Sequence, residues 1–190
     1  MTRNVKRFLA GSLLSLIPSI ALAGQVEHGF PDLLSERTEY VSLRAEAIQV
    51  PVREGSGGNS VAAANEDLLV FNNSGLSLSL GIQVLTGGLN GVYNPYPCPP
   101  ALGSLCGFQV AAPAPTVAAP VVQQYYWTAN AANPAAAKTC VWRVEVTDVA
   151  GSCAAQVFFG TYGGAVCTLD AVNSFIDPTT CYAQIVTNIQ

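Results

Sequence analysis

Apolar and polar residues alternate in short segments along this chain. The clearest segment runs from Leu76 to Val84, where every second residue is apolar and the residues between are serine, glycine or glutamine. Similar alternation covers 41–47 and 140–147. A period of two residues is typical of a strand with one buried and one exposed face. These segments therefore predict strands.

Turn-forming residues separate the predicted strands. Asn72, Asn73, Ser74 and Gly75 join the apolar segment 67–71 to the strand at Leu76 and predict a hairpin. Glycine, serine and Asp-Pro pairs punctuate the second half in the same way. Helical spacing is confined to 31–39. Many short strands with frequent turns predict an all-β, disulfide-stapled antiparallel β-sandwich, a double-sheet domain.

A long central segment carries no charge. Between Leu68 and Ala137 there is no Asp, Glu, Lys or Arg, whereas about a quarter of the residues in an average soluble domain are charged. The segment is therefore buried, or its surface contacts something other than water. Within it, 93–120 is rich in proline, which removes main-chain donors that a central strand needs. We expect 93–120 to be a Pro/Ala-rich loop or crossover between the sheets.

The N-terminus has the pattern of a secretory signal peptide. Basic residues at Arg3, Lys6 and Arg7 precede the apolar run 8–17, and the cleavage pattern Ala-Leu-Ala follows at 21–23. The apolar run is shorter than the ~20 residues that span a bilayer. We therefore expect 1–23 to be a cleaved signal peptide and 24–190 to form a single β-domain. Its predicted location is secreted, periplasmic or at the cell surface, with no integral membrane segment in the mature chain.

Charge narrows the classes of partner. Without 1–23 the chain has five basic and twelve acidic residues, a net charge of −7. Nucleic acids and anionic membranes are bound through basic surfaces, and the sequence offers no cluster of basic residues. We expect no nucleic-acid partner.

The cysteines predict a disulfide framework. An even number of cysteines in an exported chain favours disulfides over free thiols. Cys98 and Cys106 are close enough in sequence to pair across a short loop. The other four favour the pairs 140–167 and 153–181 if their strands divide between two packed sheets, and neighbour pairing, 140–153 with 167–181, is the alternative. The six cysteines are Cys98, Cys106, Cys140, Cys153, Cys167 and Cys181.

No residue pattern identifies a metal site, a cofactor site or a catalytic site. There is no Cys-x-x-Cys pair, and the single histidine, His28, lies near the predicted new N-terminus. Paired carboxylates could hydrolyse a glycosidic bond, but two of the candidates are adjacent and three lie at predicted turns, where acids commonly bind main-chain amides. The candidates are Glu66, Asp67, Asp148, Asp170 and Asp177. We expect no cofactor, no metal and no enzymatic activity, with an acidic secreted hydrolase as a second alternative.

The aromatic residues of the uncharged segment are the candidate interface. Tyrosine and tryptophan combine an apolar ring with a polar group, and here they lie at Tyr93, Tyr96, Tyr125, Tyr126 and Trp127. The leading hypothesis is an exported, non-enzymatic structural or interaction protein of the cell envelope or extracellular space, which assembles with itself or with another surface protein. The alternative is a carbohydrate- or peptide-binding module that uses these aromatic residues.

Overall fold

The computed structural model describes residues 47–53 and 64–190. The predicted signal peptide, the predicted helix at 31–39 and most of the predicted strand at 41–47 lie outside the described residues. The described residues form eleven strands and a single short 3₁₀ turn, Pro134–Ala136. The strands are β1 (Ile48–Gln49), β2 (Ala64–Asn72), β3 (Ser79–Leu85), β4 (Gly88–Val92), β5 (Ser104–Ala112), β6 (Val121–Thr128), β7 (Thr139–Val149), β8 (Ser152–Tyr162), β9 (Cys167–Leu169), β10 (Phe175–Ile176) and β11 (Ala183–Ile189).

These strands form two sheets that enclose one apolar core. Sheet A has the order β1-β8-β7-β6-β3, and sheet B has the order β10-β11-β2-β5-β4, with β9 also paired to β11. All neighbouring strands are antiparallel except β11 and β2, which are parallel. The predicted double-sheet, all-β fold is confirmed.

The predicted hairpin between 67–71 and the strand at Leu76 is wrong. β2 lies in sheet B and β3 lies in sheet A, so the turn at 73–78 carries the chain from one sheet to the other. Both strands still direct apolar side chains into the same core. Their alternation is therefore the same as that of two strands paired in one hairpin. The side chain of Asn72 holds this passage by donating to the carbonyl oxygens of Leu76 and Pro99, each at 2.7 Å.

The segment 93–120, expected to be a loop or crossover, contains a strand. β5 lies between β2 and β4 near the middle of sheet B. The prolines of the segment fall at 95–100 and 113–120, so 101–112 keeps every main-chain donor and can pair on both sides. Residues 113–120 then lead from β5 in sheet B to β6 in sheet A, as a crossover would.

Aromatic rings fill the centre of the sandwich. Tyr125 of β6 and Trp142 of β7 stack with their centroids 5.8 Å apart, and Phe108 of β5 meets Tyr125 edge-on at 5.0 Å. All three rings are buried. Such pairs contribute about 0.5–1.5 kcal/mol each beyond the burial of their area. The ring cluster therefore joins the two sheets across the core.

Two disulfides also span the sheets. Cys140 of β7 pairs with Cys167 of β9, with a Cα–Cα distance of 5.7 Å, and Cys153 of β8 pairs with Cys181 just before β11, at 5.2 Å. Cys98 pairs with Cys106 of β5 at 5.8 Å. These distances lie within the ~7 Å limit for a disulfide. The favoured pairing is confirmed, because β7 and β8 lie in sheet A while β9 and β11 lie in sheet B.

Candidate functional site

A glutamate lies fully buried between the two sheets. Glu66 is on the inner face of β2, beside Gln123 and Tyr125 of β6 on the opposite sheet. The amide of Gln123 already accepts from the main-chain N–H of Thr86 at 3.1 Å and donates to its carbonyl oxygen at 2.9 Å. Neither carboxyl oxygen of Glu66 has a hydrogen-bond partner among the described residues.

Burial sets the protonation state of this glutamate. Loss of solvent raises the pKa of Glu66 from 4.5 to about 7, and the nearby Gln123 side chain opposes only part of that shift. A charge transferred into an apolar interior without a partner carries a large free-energy cost. Glu66 is therefore neutral in the folded protein at mildly acid pH. Because its side chain has no access to solvent, it cannot act on an external substrate in this conformation.

Three further polar atoms near the core centre have no partner in the described part of the chain. They are the hydroxyl of Tyr125 and the indole nitrogens of Trp127 and Trp142. Each unpaired buried donor costs about 1–3 kcal/mol relative to its hydrated state. Together with Glu66 and Gln123, these groups lie on the inner faces of β2, β6 and β7, where they are buried away from solvent.

The other candidate carboxylates serve turns. Asp148 accepts from the main-chain N–H of Gly151 at 2.7 Å, and Asp177 accepts from that of Thr179 at 2.8 Å. Asp170 binds main-chain amides of its own turn, and a hydrogen bond from the Asn173 side chain lowers its pKa.

The adjacent pair of carboxylates is split between the faces of β2. Glu66 faces the interior, whereas Asp67 lies on the outer face of sheet B, where tyrosine and glutamine side chains bind it. Within the described residues, each of the five candidates is therefore accounted for by a local role on its own strand or turn.

Asp67 is the centre of a polar cluster on the outer face of sheet B. One of its oxygens accepts from the hydroxyl of Tyr93 at 3.0 Å and from Nε2 of Gln109 at 2.8 Å, and the other accepts from the hydroxyl of Tyr182 at 2.5 Å. Burial and then Asp67 itself raise the pKa of both tyrosines. The two hydroxyls are thus held as donors toward the carboxylate.

The five predicted interface aromatics do not form one platform. Tyr125 and Trp127 belong to the core, whereas Tyr93 and Tyr96 are exposed in the loop between β4 and β5. Tyr96 packs toward Trp127, with their ring centroids 6.4 Å apart. Tyr126 points the other way, to the outer face of sheet A.

Tyr126 explains the glycine in the alternating segment of β3. The two residues face each other across β3 and β6, and a Cβ atom on Gly81 would lie 2.0 Å from Cζ of Tyr126. The tyrosine ring therefore covers the main chain of Gly81, and any side chain there would displace it.

Exposed apolar side chains are concentrated in the uncharged segment. Among the described residues, ten of the fourteen large hydrophobic side chains that are exposed to solvent fall between 68 and 137. They are Leu76, Ile82, Val84, Leu89, Val92, Tyr93, Tyr96, Leu102, Leu105 and Val117. The uncharged segment is thus only partly buried, and it carries most of the exposed large apolar side chains among the described residues.

Comparison with known protein families, with curated proteins and with solved structures found no significant match. Within 47–53 and 64–190, no helix has both the length and the apolar character needed to cross a bilayer. In the same ranges no three side chains of His, Cys, Asp or Glu come together as metal ligands. Three disulfides suggest an oxidising, extracellular environment for the folded domain.

Proposed function

We propose that this protein is an exported, non-enzymatic structural protein that assembles with itself or with another surface protein through one side of its sandwich. The supporting observation is the concentration of exposed apolar side chains in the uncharged segment. A contiguous exposed apolar patch on a soluble domain commonly marks a protein interface. The secretory pattern at the N-terminus supports a place outside the cytoplasm.

The contact surface is the side formed by β3 and β4, which we call the uncharged edge. β3 is the last strand of sheet A and β4 is the last strand of sheet B. They are consecutive in the chain and joined at 86–87, so the two sheets end on the same side of the sandwich. Ile82 and Val84 of β3 and Leu89 and Val92 of β4 are each 37–47% exposed.

Side-chain packing, rather than strand addition, is the expected mode of contact. The main chain of Leu78, next to the start of β3, is already paired with Cys98. Between Ile82 and Val84 the register of β3 shifts by a bulge, and bulges hinder pairing with a further strand. The apolar side chains beside these features remain available to a partner.

Charge favours the same side. The mature chain is predicted to carry a net charge of −7, so two copies, or a copy and another acidic protein, repel each other over most approaches. Repulsion is weakest where both surfaces lack acids. β3 and β4, which form the uncharged edge, both lie between Leu68 and Ala137, where the chain has no acidic or basic residue.

Site-specific photocrosslinking in the producing cells tests this proposal. We expect a benzophenone amino acid at Leu89 to give a discrete protein adduct, because β4 lies at the contact surface. The matched control is Val149, which is 57% exposed but lies beside Asp148 outside the uncharged segment. Mass spectrometry of the adduct distinguishes a second copy from another protein. Equal labelling from both positions, or no adduct from Leu89, would contradict the proposal.

A further inference from the structure

A row of amide and carboxylate side chains crosses the outer face of sheet B. Gln184 of β11 lies opposite Asp67 of β2, and Asp67 lies opposite Gln109 of β5. Asn90, in the bulge of β4, continues the row, and Phe175 of β10 begins it opposite Gln184. At ~4.8 Å per strand, the five strands span roughly 19 Å.

Hydrogen bonds hold the side chains of this row in place. Gln109 donates to Asp67 at 2.8 Å, Gln184 donates to the carbonyl oxygen of Asn173 at 2.8 Å, and Asn90 donates to the side-chain oxygen of Gln109. Glutamine side chains on a surface normally sample several rotamers, and ordering them costs binding free energy. Here hydrogen bonds within the protein already order these side chains, so a ligand loses less binding free energy in ordering them.

Aromatic side chains border the row. Tyr93 is 40% exposed and donates to Asp67, and Tyr182 donates to the same carboxylate from the β11 side. Tyr182 packs against Phe175 with ring centroids 5.7 Å apart, and Arg53 lies over the Phe175 ring at 5.4 Å. The face therefore combines ordered hydrogen-bonding groups with ring edges and faces.

We propose that this face binds a neutral carbohydrate chain laid across the strands. Sugars present hydroxyl groups that both donate and accept, together with apolar C–H faces. The row offers both kinds of group: the amides retain unused donors and acceptors, the tyrosine hydroxyls can each accept, and the rings can cover C–H faces.

The few charged groups on this face favour a neutral polysaccharide over a charged one. Among the described residues, the row holds one carboxylate, Asp67, which is already bonded by three donors, and the guanidinium of Arg53 borders it over Phe175. An anionic polysaccharide needs several cations, and a cationic one needs several free acids. A peptide strand would pair with a sheet edge rather than cross the outer face. The row meets the uncharged edge only at Asn90 of β4, and the row variants at Tyr93 and Gln184 lie outside β3 and β4, so this proposal can fail while that one stands.

Affinity electrophoresis of the oxidised mature protein tests the site directly. The gels contain hydroxyethyl cellulose, xylan, galactomannan or soluble glycol chitin as neutral probes, with alginate and casein as charged and peptide probes. We expect retardation by at least one neutral polysaccharide. Tyr93→Ala and Gln184→Ala should each weaken that binding by about tenfold, the loss that corresponds to about 1.4 kcal/mol.

Gln156→Ala is the matched control. Gln156 is a half-buried glutamine on the outer face of sheet A, so its loss should leave binding unchanged. If a variant does not fold, the wild-type protein is titrated instead with a hexasaccharide of the polysaccharide that retarded it. The backbone amide NMR signals that change should then belong to residues along the row. Retardation by alginate or casein alone, no retardation by any neutral probe, or unchanged binding in both row variants would overturn the proposal.

Discussion

Replacing Glu66 with glutamine is expected to stabilise the folded protein by roughly 3 kcal/mol above pH 7. The side chain is fully buried, and its pKa rises from 4.5 to about 7 on folding. Above pH 7 the folded protein must either carry an unpaired buried charge or retain a proton that the unfolded chain releases. Glutamine has nearly the same shape and no charge, so Glu66→Gln removes that cost.

The sign of the pH dependence follows from the protons bound in each state. Below pH 4.5 both the folded and the unfolded chain hold the proton, and Glu66 costs nothing extra through ionisation. Between pH 4.5 and about 7 only the folded chain holds it, so the free energy of unfolding falls as pH rises. Tyr125 is the titratable group that faces Glu66 from β6, and burial keeps it neutral throughout.

Urea unfolding of the wild type and Glu66→Gln across this pH range measures the effect. The two proteins should be about equally stable below pH 4.5 and diverge toward pH 7. The control is Glu145→Gln on the outer face of sheet A, where the side chain of Glu145 is 18% exposed and forms an ion pair with Arg143. Parallel curves for the wild type and Glu66→Gln would show that Glu66 does not ionise as the buried position requires.

Removal of a sheet-spanning disulfide should cost roughly 3.5 kcal/mol, estimated from the entropy of closing its loop. Cys140 and Cys167 are 27 residues apart and join sheet A to sheet B. Without the bond the unfolded chain gains freedom, while the folded sheets keep only their core contacts. The double variant Cys140→Ala with Cys167→Ala leaves the other disulfides intact.

The short disulfide provides an internal comparison. Cys98 and Cys106 are 8 residues apart, so the same relation gives a loss of roughly 2.5 kcal/mol for Cys98→Ala with Cys106→Ala. Urea unfolding of the two oxidised double variants measures both losses. A larger loss from the short loop would show that core packing at the cysteines, rather than chain constraint, determines their contribution.

The sequence predicted the fold class because period-two alternation depends on local geometry alone. It favoured the observed disulfides, because cysteines separated by a skipped strand can pair only when those strands lie in opposite sheets, but it left neighbour pairing open. It did not predict which sheet each strand joins. β2 and β3 have hairpin-like spacing, and only the packing of the core assigns them to different sheets.

The candidate sites were harder to predict for the same reason. The row through Asp67, Gln109 and Gln184 depends on the register of a parallel pair, β2 with β11, whose strands are more than a hundred residues apart in sequence. Gln109 lay in the segment that was expected to be a loop, and Asp67 stood at the start of a predicted strand, so the sequence did not reveal the row. The burial of Glu66 was not predicted either, because Glu66 precedes the predicted strand 67–71 although it occupies an inward position of β2.

Assembly through the uncharged edge is tested most directly by the mass of the complex in which this protein is extracted from the producing cells. Val84 lies on the uncharged edge and is 39% exposed, and Val149 is exposed outside it. We expect the wild type and Val149→Lys to be recovered in an assembly larger than the monomer, whereas Val84→Lys should be recovered folded but monomeric. Recovery of Val84→Lys in the same assembly as the wild type would contradict this expectation.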